Sequence, residues 1–569
     1  MGTPLAPGGR EAGARPHVTA GAPAPRIARV LPDLPLDKVF DYLVPDHLAV
    51  HIRVGTMVRV PLHGRRVGGW VVGLAGAPQT DRALQPLAKV TGWGPPADVV
   101  ALARWAAWRW AGRPAQLLGT ASPPRAVRGL PPTPDAPPPV SGDLAGGVTV
   151  VRIPPAGDVL PTALTVAGRG DALVLAPTHA AANYLAARLR REGCRVALVP
   201  QDWAVAAAGG CVAVGARAGA WAPRPQLGAV LVVDEHDEAY QEERAPTWNA
   251  RDVAVERARR AGVPCVLTSP CPSLDALGQG PLVAPSRTEE RGGWPVVEVV
   301  DRGKEPPGAG LYSSRLVALA RDARADARLV CVLNRKGRAR LLACATCREL
   351  TRCEACGAAV EGVDDRLRCR RCGTVRPVVC LHCGGTRMAT LRVGVSRARE
   401  ELELLANQPV AEVTADSAAG PPPVGAAVLV GTEAVLHRVA GARAVAFLDF
   451  DQELLAPRYR AAEAALALLA RAARVVGGRG VAARASHRIV WSAARSSQRS
   501  WAGPRTSTAA PAGRAATNAA AACPDTAATA VSGGKRRAAR RAASTTARRE
   551  GSACRAASRT SWPGTRVCT

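Results

Sequence analysis

Alternating apolar and polar residues, broken by Gly and polar positions, mark the first ordered part of the chain. The segments FDYLVP, VGTMVRVPL and RRVGGWVVGL have this alternation, which is typical of short strands because successive strand side chains face opposite sides. The segment DVVALARWAAWRW follows, with apolar residues at helical spacing. We therefore predict a small β-rich domain ending in a helix over residues 25–121, with Trp105 and Trp108 in its core. Residues 1–24 are rich in Gly, Ala and Pro, and we expect them to be disordered.

A second pattern begins after a Pro- and Gly-rich linker at residues 122–147. Apolar runs such as DALVLAP, RVALV, CVAVGA and GAVLVVDEH alternate there with amphipathic segments such as HAAANYLAARLRREG. Buried strands that alternate with helices are typical of a doubly wound parallel sheet. The pattern occupies residues 148–335, gives way to a Cys- and Arg-rich stretch at 336–388, and resumes at 389–479. The sequence thus predicts a multidomain α/β protein with two parallel lobes.

The segment at residues 480–569 has a different composition. Positions 481–569 contain no Leu, Phe or Tyr, and they carry sixteen Lys and Arg residues against only Asp525 and Glu550. A segment with this composition cannot bury a core. We interpret it either as a disordered, low-complexity basic tail or as the product of a frameshift, and we favour the frameshift.

The whole chain is strongly basic, with a formal net charge of +29 over 569 residues. Such a balance is typical of proteins that bind nucleic acid, although a solvated basic surface would give the same charge. The N-terminus lacks the apolar core of a signal peptide, and no run reaches the roughly 18 apolar residues that span a bilayer. We therefore expect a cytoplasmic, nucleoid-associated protein with no membrane partner. In that compartment its 16 cysteines are not a disulfide framework.

The strongest local pattern is a set of four CxxC pairs. A CxxC turn directs two thiolates at one tetrahedral ion, and two turns complete the coordination shell. The eight cysteines thus predict two zinc ions with four cysteine ligands each, in structural sites with no open position for chemistry. The spacing leaves open which pairs share an ion, a nested arrangement being one possibility. The pairs are Cys344/Cys347, Cys353/Cys356, Cys369/Cys372 and Cys380/Cys383.

The run VLVVDEHDEAY ends an apolar strand in Asp234, Glu235 and His236, as in the magnesium–nucleotide site of a motor protein. A motor also needs a phosphate loop, GxxxxGK[ST], in which glycines expose backbone N–H groups and Lys neutralises phosphate charge. The loop is expected just before the strand DALVLAP, where the chain reads VVRIPPAGDVLPT without a Lys. None of the five lysines fits the motif: Lys38, Lys89, Lys304, Lys336 and Lys535. Walker A is therefore absent, and we do not expect ATP as a cofactor.

Together these segments resemble the PriA (primosomal protein N-prime) family of bacterial replication restart helicases, over about residues 26–478. RVLPDLPLDKVFDYLVPDHL and VGTMVRVPLHGRRVGGWVVG are similar to the family's N-terminal domain, which holds the 3′ end of a nascent strand. The DEHDEAY and ARDVA segments are similar to its DEEH region, and LNRKGRARLLACATC with the CxxC pairs to its zinc insertion. The resemblance implies two helicase-like (RecA-like) lobes, 148–335 and 389–479, and a double zinc-binding module at 336–388.

The resemblance also implies roles for individual residues. Phe40, Asp41 and Gly64 would line a pocket for the terminal 3′ nucleotide, with Gln85 at the position nearest to the pocket's basic residue. The family's zinc pattern implies the nested pairing. One ion would then take Cys344, Cys347, Cys380 and Cys383, and the other Cys353, Cys356, Cys369 and Cys372.

The chain departs from the family at each motif that handles ATP. The box DEH is one acidic residue short, counted back from ARDVA, so that Val233 falls where the metal-binding Asp belongs. Pro270-Cys271 replaces part of the SAT coupling motif, and RAARVVGGRG matches the arginine-finger motif only loosely. The family's winged-helix domain gives way to the Pro-rich linker, and its C-terminal domain is absent or out of frame. We therefore interpret Asp234, Glu235 and His236 as a degenerate Walker B, typical of actinobacterial members with degenerate helicase motifs.

These observations favour a replication restart and primosome assembly protein without helicase activity of its own. It would bind stalled or forked DNA and promote loading of the replicative helicase, with single-strand DNA-binding protein and primosome components as expected partners. One alternative is an active ATP-dependent 3′–5′ DNA helicase of the same family, supported only by DEHDEAY. A further alternative is a zinc-ribbon nucleic-acid adaptor unrelated to replication.

Overall fold

The computed structural model describes residues 27–133, 144, 146–305, 311–334, 342–363, 365–390, 395–413, 425–479 and 487–493. All of them fall within one compact unit. The predicted disordered N-terminus, residues 1–24, lies outside the described residues, as do most of the linker, 134–143 and 145, and most of the tail, 480–486 and 494–569. No helix within the described part of the chain is long and apolar enough to cross a bilayer.

The N-terminal domain is a small antiparallel sheet of five strands in the order β2-β1-β4-β3-β5. Alternation sends Val58 and Val60 into its core, while Arg59 between them stays exposed. The segment before β5 closes the sheet into a barrel, because Leu43 N donates to Gln85 O and Leu87 N to Leu43 O. The elements are β1 Ile27–Pro32, β2 Phe40–Leu43, α1 Asp46–Ala49, β3 Met57–Leu62, β4 Arg65–Ala75 and β5 Lys89–Gly92.

Two helices, α2 Ala97–Arg109 and α3 Pro114–Ala121, join this domain to the next and share one apolar core with it. The indole N–H of Trp203 donates to the Ala121 carbonyl at 2.9 Å across this contact. Trp105 packs against the shared core, as predicted. The prediction was wrong for Trp108, which is 78% exposed, because the buried face of α2 ends one residue before it at Ala107.

Lobe 1 contains seven strands in the order β12-β6-β11-β10-β7-β9-β8. Every described pair in it is parallel, and its strands are nearly continuous apolar runs because helices cover both faces. This confirms the doubly wound prediction. The elements are β6 Val148–Arg152, α4 Leu160–Ala167, β7 Asp171–Leu175, α5 His179–Arg191, β8 Val196–Val199, α6 Trp203–Ala208, β9 Val212–Gly215, β10 Leu227–Val232, α7 Ala250–Ala261, β11 Cys265–Ser269, α8 Leu274–Leu277, β12 Leu282–Val283 and α9 Arg287–Gly293.

The chain then begins a second lobe, with β13 Val296–Asp301, α10 Ser314–Arg321 and β14 Leu329–Val332, and interrupts it with the cysteine-rich module. The module consists of short antiparallel strands between CxxC turns. Apart from the cysteines, only a few apolar side chains pack inside it, such as Leu342 and Leu367. Its strands are β15 Leu342–Cys344, β16 Val360–Val363, β17 Arg366–Cys369, β18 Val375–Pro377 and β19 Met388–Thr390.

Lobe 2 resumes after the module and completes a six-stranded parallel sheet in the order β13-β23-β22-β14-β21-β20. Its helix α14 carries the residues that face lobe 1. The remaining elements are α11 Val395–Ala406, β20 Val410–Val413, β21 Val428–Gly431, α12 Ala434–Arg438, β22 Ala444–Phe447, α13 Asp451–Leu454, α14 Ala461–Val476 and β23 Arg488–Ala493.

Strand β23 corrects the sequence-based boundary of the tail at residue 480. It pairs in parallel with both β13 and β22, and Ile489, Val490 and Trp491 are buried. The ring of Trp491 lies 5.0 Å from that of Phe450, in the core of lobe 2. The prediction failed here because the composition of the whole segment hid one short apolar run, RIVW.

Candidate functional site

The loop between β6 and α4 occupies the position of a phosphate loop, between a parallel strand and the helix that follows it. Pro154 and Pro155 have no N–H to offer a phosphate. The Asp158 carboxylate accepts the N–H of Leu160 at 3.0 Å, at the N-terminus of α4. Arg188 of α5 holds the same carboxylate with two hydrogen bonds of 2.7 Å and lowers its pKa. The anion at this helix end is therefore a side chain of the protein itself, where a phosphate would otherwise bind.

The residues predicted to form a degenerate Walker B box follow β10, at the carboxyl edge of the lobe 1 sheet. Val233, predicted from the sequence to fall where the metal-binding Asp belongs, is buried and apolar. Asp234 has a positive φ of 53°, and its carboxylate is held by Arg474 of α14 at 2.6 and 2.5 Å. Burial is the largest influence on the pKa of Arg474 and lowers it, but the charge and hydrogen bonds of Asp234 together with the charges of Asp237 and Cys271 outweigh burial, so the pKa is raised. Asp234 is thus neutralised by a cation from lobe 2.

Glu235 is buried and has both carboxylate oxygens occupied. One oxygen accepts the N–H of Ser273 at 2.8 Å, and the other accepts the Ser273 hydroxyl at 2.8 Å and Arg251 Nη1 at 3.1 Å. Arg251 is the arginine of the ARDVA segment. These contacts tie β10 to α7 and α8, so the geometry gives Glu235 a structural role in lobe 1.

His236 links the acidic box to the strand β11. Its Nδ1 lies 2.8 Å from the hydroxyl of Ser269, which also accepts the N–H of Cys271 at 3.0 Å. Burial lowers the pKa of His236, which favours the neutral imidazole. Ser269 is the residue of the SPC segment that the sequence aligns with the first position of SAT.

Among the residues that the structure describes, three ion pairs join lobe 2 to the carboxyl edge of lobe 1, and we call these three pairs the interlobe latch. They are Arg474–Asp234, Arg471–Asp237 at 3.0 Å and Arg460–Asp275 at 2.6 Å. Arg471 and Arg474 lie one turn apart on α14, and Arg460 immediately precedes that helix. One of the three acidic residues, Asp234, belongs to the box that the sequence likens to the magnesium–nucleotide site of a motor protein.

A cavity of about 1000 Å³ lies beside the latch, between the lobes. Its lining is net acidic, which opposes the entry of a triphosphate. Eight carboxylates and five arginines line it: Glu235, Asp237, Glu238, Asp252, Asp275, Glu433, Glu453 and Glu463, and Arg109, Arg251, Arg458, Arg460 and Arg471.

The eight cysteines of the CxxC pairs form two groups whose sulfurs all lie within 4.8 Å of one another. The outer group is Cys344, Cys347, Cys380 and Cys383, and the inner group is Cys353, Cys356, Cys369 and Cys372. Each group could hold one metal ion, because two Zn–S bonds of about 2.3 Å set tetrahedral sulfurs roughly 3.8 Å apart. This is the nested grouping.

Backbone geometry explains the Gly that follows three of the pairs. Gly357, Gly373 and Gly384 have φ of 71°, 79° and 75°, and each donates its N–H to the carbonyl of the first cysteine of its pair at 2.9 to 3.0 Å. The fourth turn has Arg348 at φ 61° in the same position. A left-handed residue at this point turns the chain so that both thiols face the same side.

The residues predicted to hold a DNA 3′ end gather at one end of the N-terminal barrel. Phe40 and Asp41 begin β2, whose last residue, Leu43, pairs in parallel with Pro86. The first residues of β3 pair antiparallel with β5, Arg59 opposite Lys89, so β3 runs on past the start of β5 and its end, with the turn at Gly64, lies at the same end of the barrel as the start of β2. Gly64 is exposed with φ 75°, and a side chain there would meet no atom within 4 Å.

The side chains at this barrel end are not equally available. The carboxylate of Asp41 accepts the N–H of Gln79 at 2.7 Å and lies 3.7 Å from Arg29 Nε. Phe40 is half-buried, and Lys38 Nζ lies 5.4 Å from its ring centre. The sequence offered only Gln85 for the basic position, whereas the structure brings Lys38 to Phe40 because residues two apart in an extended chain share a side. That these residues bind a 3′ end stays a prediction.

Comparison with known proteins identifies this barrel. A family model described as the 3′ DNA-binding domain (3′BD) of PriA matches residues 29–123. The "Probable replication restart protein PriA" of Mycobacterium tuberculosis is 28% identical over 529 residues, which cover 78% of this chain and 77% of that protein. The chain is similar to PriA replication restart proteins over most of its length.

Other PriA proteins match shorter regions. The replication restart protein PriA of Bacillus subtilis is 27% identical over 201 residues, 33% of this chain and 25% of that protein. The Rickettsia conorii protein matches over 34% of its length. The match thus spans only a quarter to a third of these relatives. Among solved structures, S. cerevisiae Dbp5 bound to RNA and ADP BeF3 has a TM-score of 0.33 at 10% identity, covering 61% of this chain and 79% of that one.

Proposed function

We propose that this chain is a replication restart protein that binds forked DNA and promotes loading of the replicative helicase without unwinding DNA itself. The observation that carries the second half of the proposal is the pairing of Arg474 with Asp234. The first half rests on the match of residues 29–123 to a 3′ DNA-binding domain and on the net charge of +29.

DNA recognition is assigned to the end of the N-terminal barrel. Phe40 would stack on the terminal base, as aromatic side chains do in single-strand binding proteins. Lys38, 5.4 Å from that ring, would supply the positive charge that Gln85 lacks. Asp41 is held by Gln79 and Arg29, and we assign it to shaping the pocket. Gly64 leaves the rim open to the incoming strand.

Three features argue against ATP turnover. The loop after β6 has Pro154 and Pro155 and no Lys, and the Asp158 carboxylate accepts the N–H of Leu160 at the N-terminus of α4. Val233 provides no metal ligand, and Asp234 is neutralised by Arg474. Phosphoryl transfer depends on cradled phosphates, a held metal ion and a free arginine. In this chain each of the three is missing or engaged elsewhere.

The cysteine module is proposed to hold two zinc ions, one in each group of four cysteines. Eight thiols that converge in two tetrahedral sets suit zinc, which takes four thiolates at structural sites. Bound zinc would fold the module and leave no open coordination position. The eight cysteines would then fix a projecting surface on lobe 2, suited to contact other proteins of the restart machinery.

The partners and location follow from this function. We assign forked or single-stranded DNA, single-strand DNA-binding protein, the replicative helicase and other primosome components as partners, in the cytoplasm at the nucleoid. The second candidate is an active ATP-dependent helicase. It is favoured by the contact of His236 with Ser269, because a contact of this type would couple the DEH box to the SAT-like segment.

The proposal is tested with the full chain, forked DNA and ATP. The expected result is fork binding that prefers a 3′-hydroxyl over a 3′-phosphate end and that ATP does not alter, with no ATP hydrolysis above background. Phe40→Ala should remove the end preference, and Arg191→Gln on the exposed surface of lobe 1 should keep it. ATP turnover that Asp234→Ala abolishes would overturn the non-catalytic assignment, and absence of any fork preference would overturn the restart function.

A further inference from the structure

We infer that a basic strip on the outer face of the N-terminal barrel, made of Arg59, Arg66 and Lys89, binds the phosphates of the DNA strand that leads to the barrel end. This inference rests on the proposed DNA-binding function and names a second contact outside the 3′-end pocket. None of the three residues belongs to the DEH box, the cysteine module or the predicted pocket.

Strand register places the three cations side by side. Arg59 of β3 is the direct partner of Lys89 of β5, so their side chains stand on the same face. On the other flank Arg59 pairs with Gly68 of β4, two residues after Arg66, which makes Arg66 its diagonal neighbour. Neighbours of this kind lie about 5 to 8 Å apart. All three are exposed.

The arrangement is electrostatically unfavourable for the protein alone. Like charges directly opposite one another on a sheet destabilise it, and none of the three residues takes part in a salt bridge within the described residues. Asp33 lies beside the same face, its N–H bonded to Gly68 O at 2.8 Å, yet its carboxylate forms no ion pair with the strip. Three neighbouring cations without counter-charges, which fold stability does not explain, suit a polyanionic ligand.

The position of the strip suits DNA better than an unrelated anion. Arg59 O accepts the N–H of Ala88 at 3.0 Å, in the segment that runs back to Gln85 at the barrel end. Four residues of extended chain, from Lys89 back to Gln85, span about 13 Å. Successive phosphates on one strand of duplex DNA rise about 3.4 Å, so Arg59 and Lys89 lie about four nucleotides from a 3′ terminus held at that end. Arg66, which pairs with Pro61, lies between them and that end. Gly68 lies between Arg59 and β1, and a Cβ there would project into open space with no atom within 4 Å. Because glycine has no side chain, the surface beside Arg59 is flat.

The experiment measures fork-DNA affinity of the full chain against salt concentration for the triple variant Arg59→Gln/Arg66→Gln/Lys89→Gln. The matched control, Arg191→Gln/Arg195→Gln/Arg287→Gln, removes the same charge from exposed positions of lobe 1. Each lost phosphate contact lowers the slope of log affinity against log salt by about 0.7 to 0.9. We expect the slope to fall by about two to three for the strip variant and to stay unchanged for the control.

Two further readouts distinguish phosphate binding by the strip from a structural role in the barrel and from an effect on the 3′-end pocket. The melting temperature of the strip variant should be unchanged or higher, because its like-charge repulsion is relieved, whereas a structural role would lower it. The ratio of affinities for 3′-hydroxyl and 3′-phosphate forks should persist, because the pocket is untouched. Equal losses of fork-DNA affinity in the strip and control variants would overturn the inference. So would a strip variant that keeps its DNA affinity but no longer binds an acidic peptide, because the strip would then serve a protein partner. Wild-type protein that ignores forks would instead overturn the proposed function.

Discussion

The guanidinium of Arg474 and the carboxylate of Asp234 face each other with two hydrogen bonds of 2.6 and 2.5 Å, although 240 residues separate them in sequence. In an ATP-driven motor, a nucleotide and its metal ion would bring such groups together. Here they meet directly, and Arg471–Asp237 and Arg460–Asp275 repeat the contact alongside. The lobes are therefore held together by the protein's own charges.

The first prediction concerns the energy of this contact. Asp234 is 10% exposed at its side chain, so removing Arg474 leaves a nearly buried carboxylate without its partner. We expect Arg474→Ala to lower the free energy of unfolding by about 2 kcal/mol, and Asp234→Asn in the same background to cost little more. Denaturant unfolding of the two single variants and the double variant measures the coupling.

The control for that cycle is Arg399→Ala. Arg399 pairs with Glu400 and Glu403 inside helix α11 and does not reach lobe 1. Exposed pairs of this kind contribute about 0.5 kcal/mol or less. Additive effects of the Arg474 and Asp234 substitutions would contradict the latch.

A second prediction follows from the loop after β6. Since Asp158 occupies the N-terminus of α4 and is held by Arg188, magnesium–ATP should not raise the melting temperature. A ligand at a hundred times its dissociation constant would stabilise the fold by about 2.7 kcal/mol. Thermal unfolding with and without magnesium–ATP checks this, and Asp158→Ala should not create a shift, because Lys is still missing. A clear ATP-dependent shift in the wild type would contradict the prediction.

A third prediction uses the separation of the two cysteine groups. Because each group is complete in itself, Cys353→Ser should lower the metal content from two zinc ions per chain to one, and Cys344→Ser should do the same. Cys194→Ser, a half-buried cysteine outside both groups, is the control and should keep both ions. Elemental analysis of purified protein measures the content. Loss of both ions from a single substitution would contradict two independent sites and would indicate a shared site. Loss of an ion in the Cys194→Ser control would also contradict the assignment, because that variant keeps all eight thiols.

A fourth prediction tests strand β23 through two tryptophans. Trp491 is 2% exposed and packs on Phe450, so Trp491→Ala should cost about 3 to 5 kcal/mol in lobe 2. Trp108, at 78% exposed, is the matched control, and its replacement by Ala should change stability by about 0.5 kcal/mol or less. Ending the chain at residue 479 should unfold lobe 2, whereas ending it at residue 501 should not. Near-UV circular dichroism reports the loss of packing.

The sequence predicted what depends on local pattern and missed what depends on long-range contact. The run before Asp234 was recognised as a buried strand because apolar periodicity encodes it. CxxC spacing predicted two four-cysteine sites, but which pairs share a site came only from the resemblance to a known family. The partner of Asp234 could not be found, since no periodic pattern connects position 234 to position 474. Trp108 was misplaced because spacing alone does not tell where the buried face of a helix ends. Strand β23 was missed because the composition was averaged over residues 481–569, which hid a strand of only six residues.

The last prediction concerns Asp449, which follows β22 in lobe 2. Its Oδ1 is buried and accepts no hydrogen bond, and burial raises the pKa of this carboxyl from an ordinary value of 3.8 to about 7, with Arg302 opposing and Asp451 and Glu453 adding to the shift. Between those values the folded protein keeps a proton that the unfolded chain releases. The free energy of unfolding should therefore decrease as the pH rises from 4 to 7, by up to about 1.4 kcal/mol per pH unit, and level off above.

Asp449→Asn removes this titration without changing the size of the side chain. The variant should match the wild type near pH 4 and exceed its stability at pH 8, because no charge is then forced into the interior. Asp322→Asn, at an exposed position after α10, should follow the wild-type profile throughout. Melting temperatures of the three proteins between pH 4 and pH 8 measure the effect. If wild type and Asp449→Asn had the same profile over this range, Asp449 would already be ionised in the folded protein at pH 4, which would contradict the prediction.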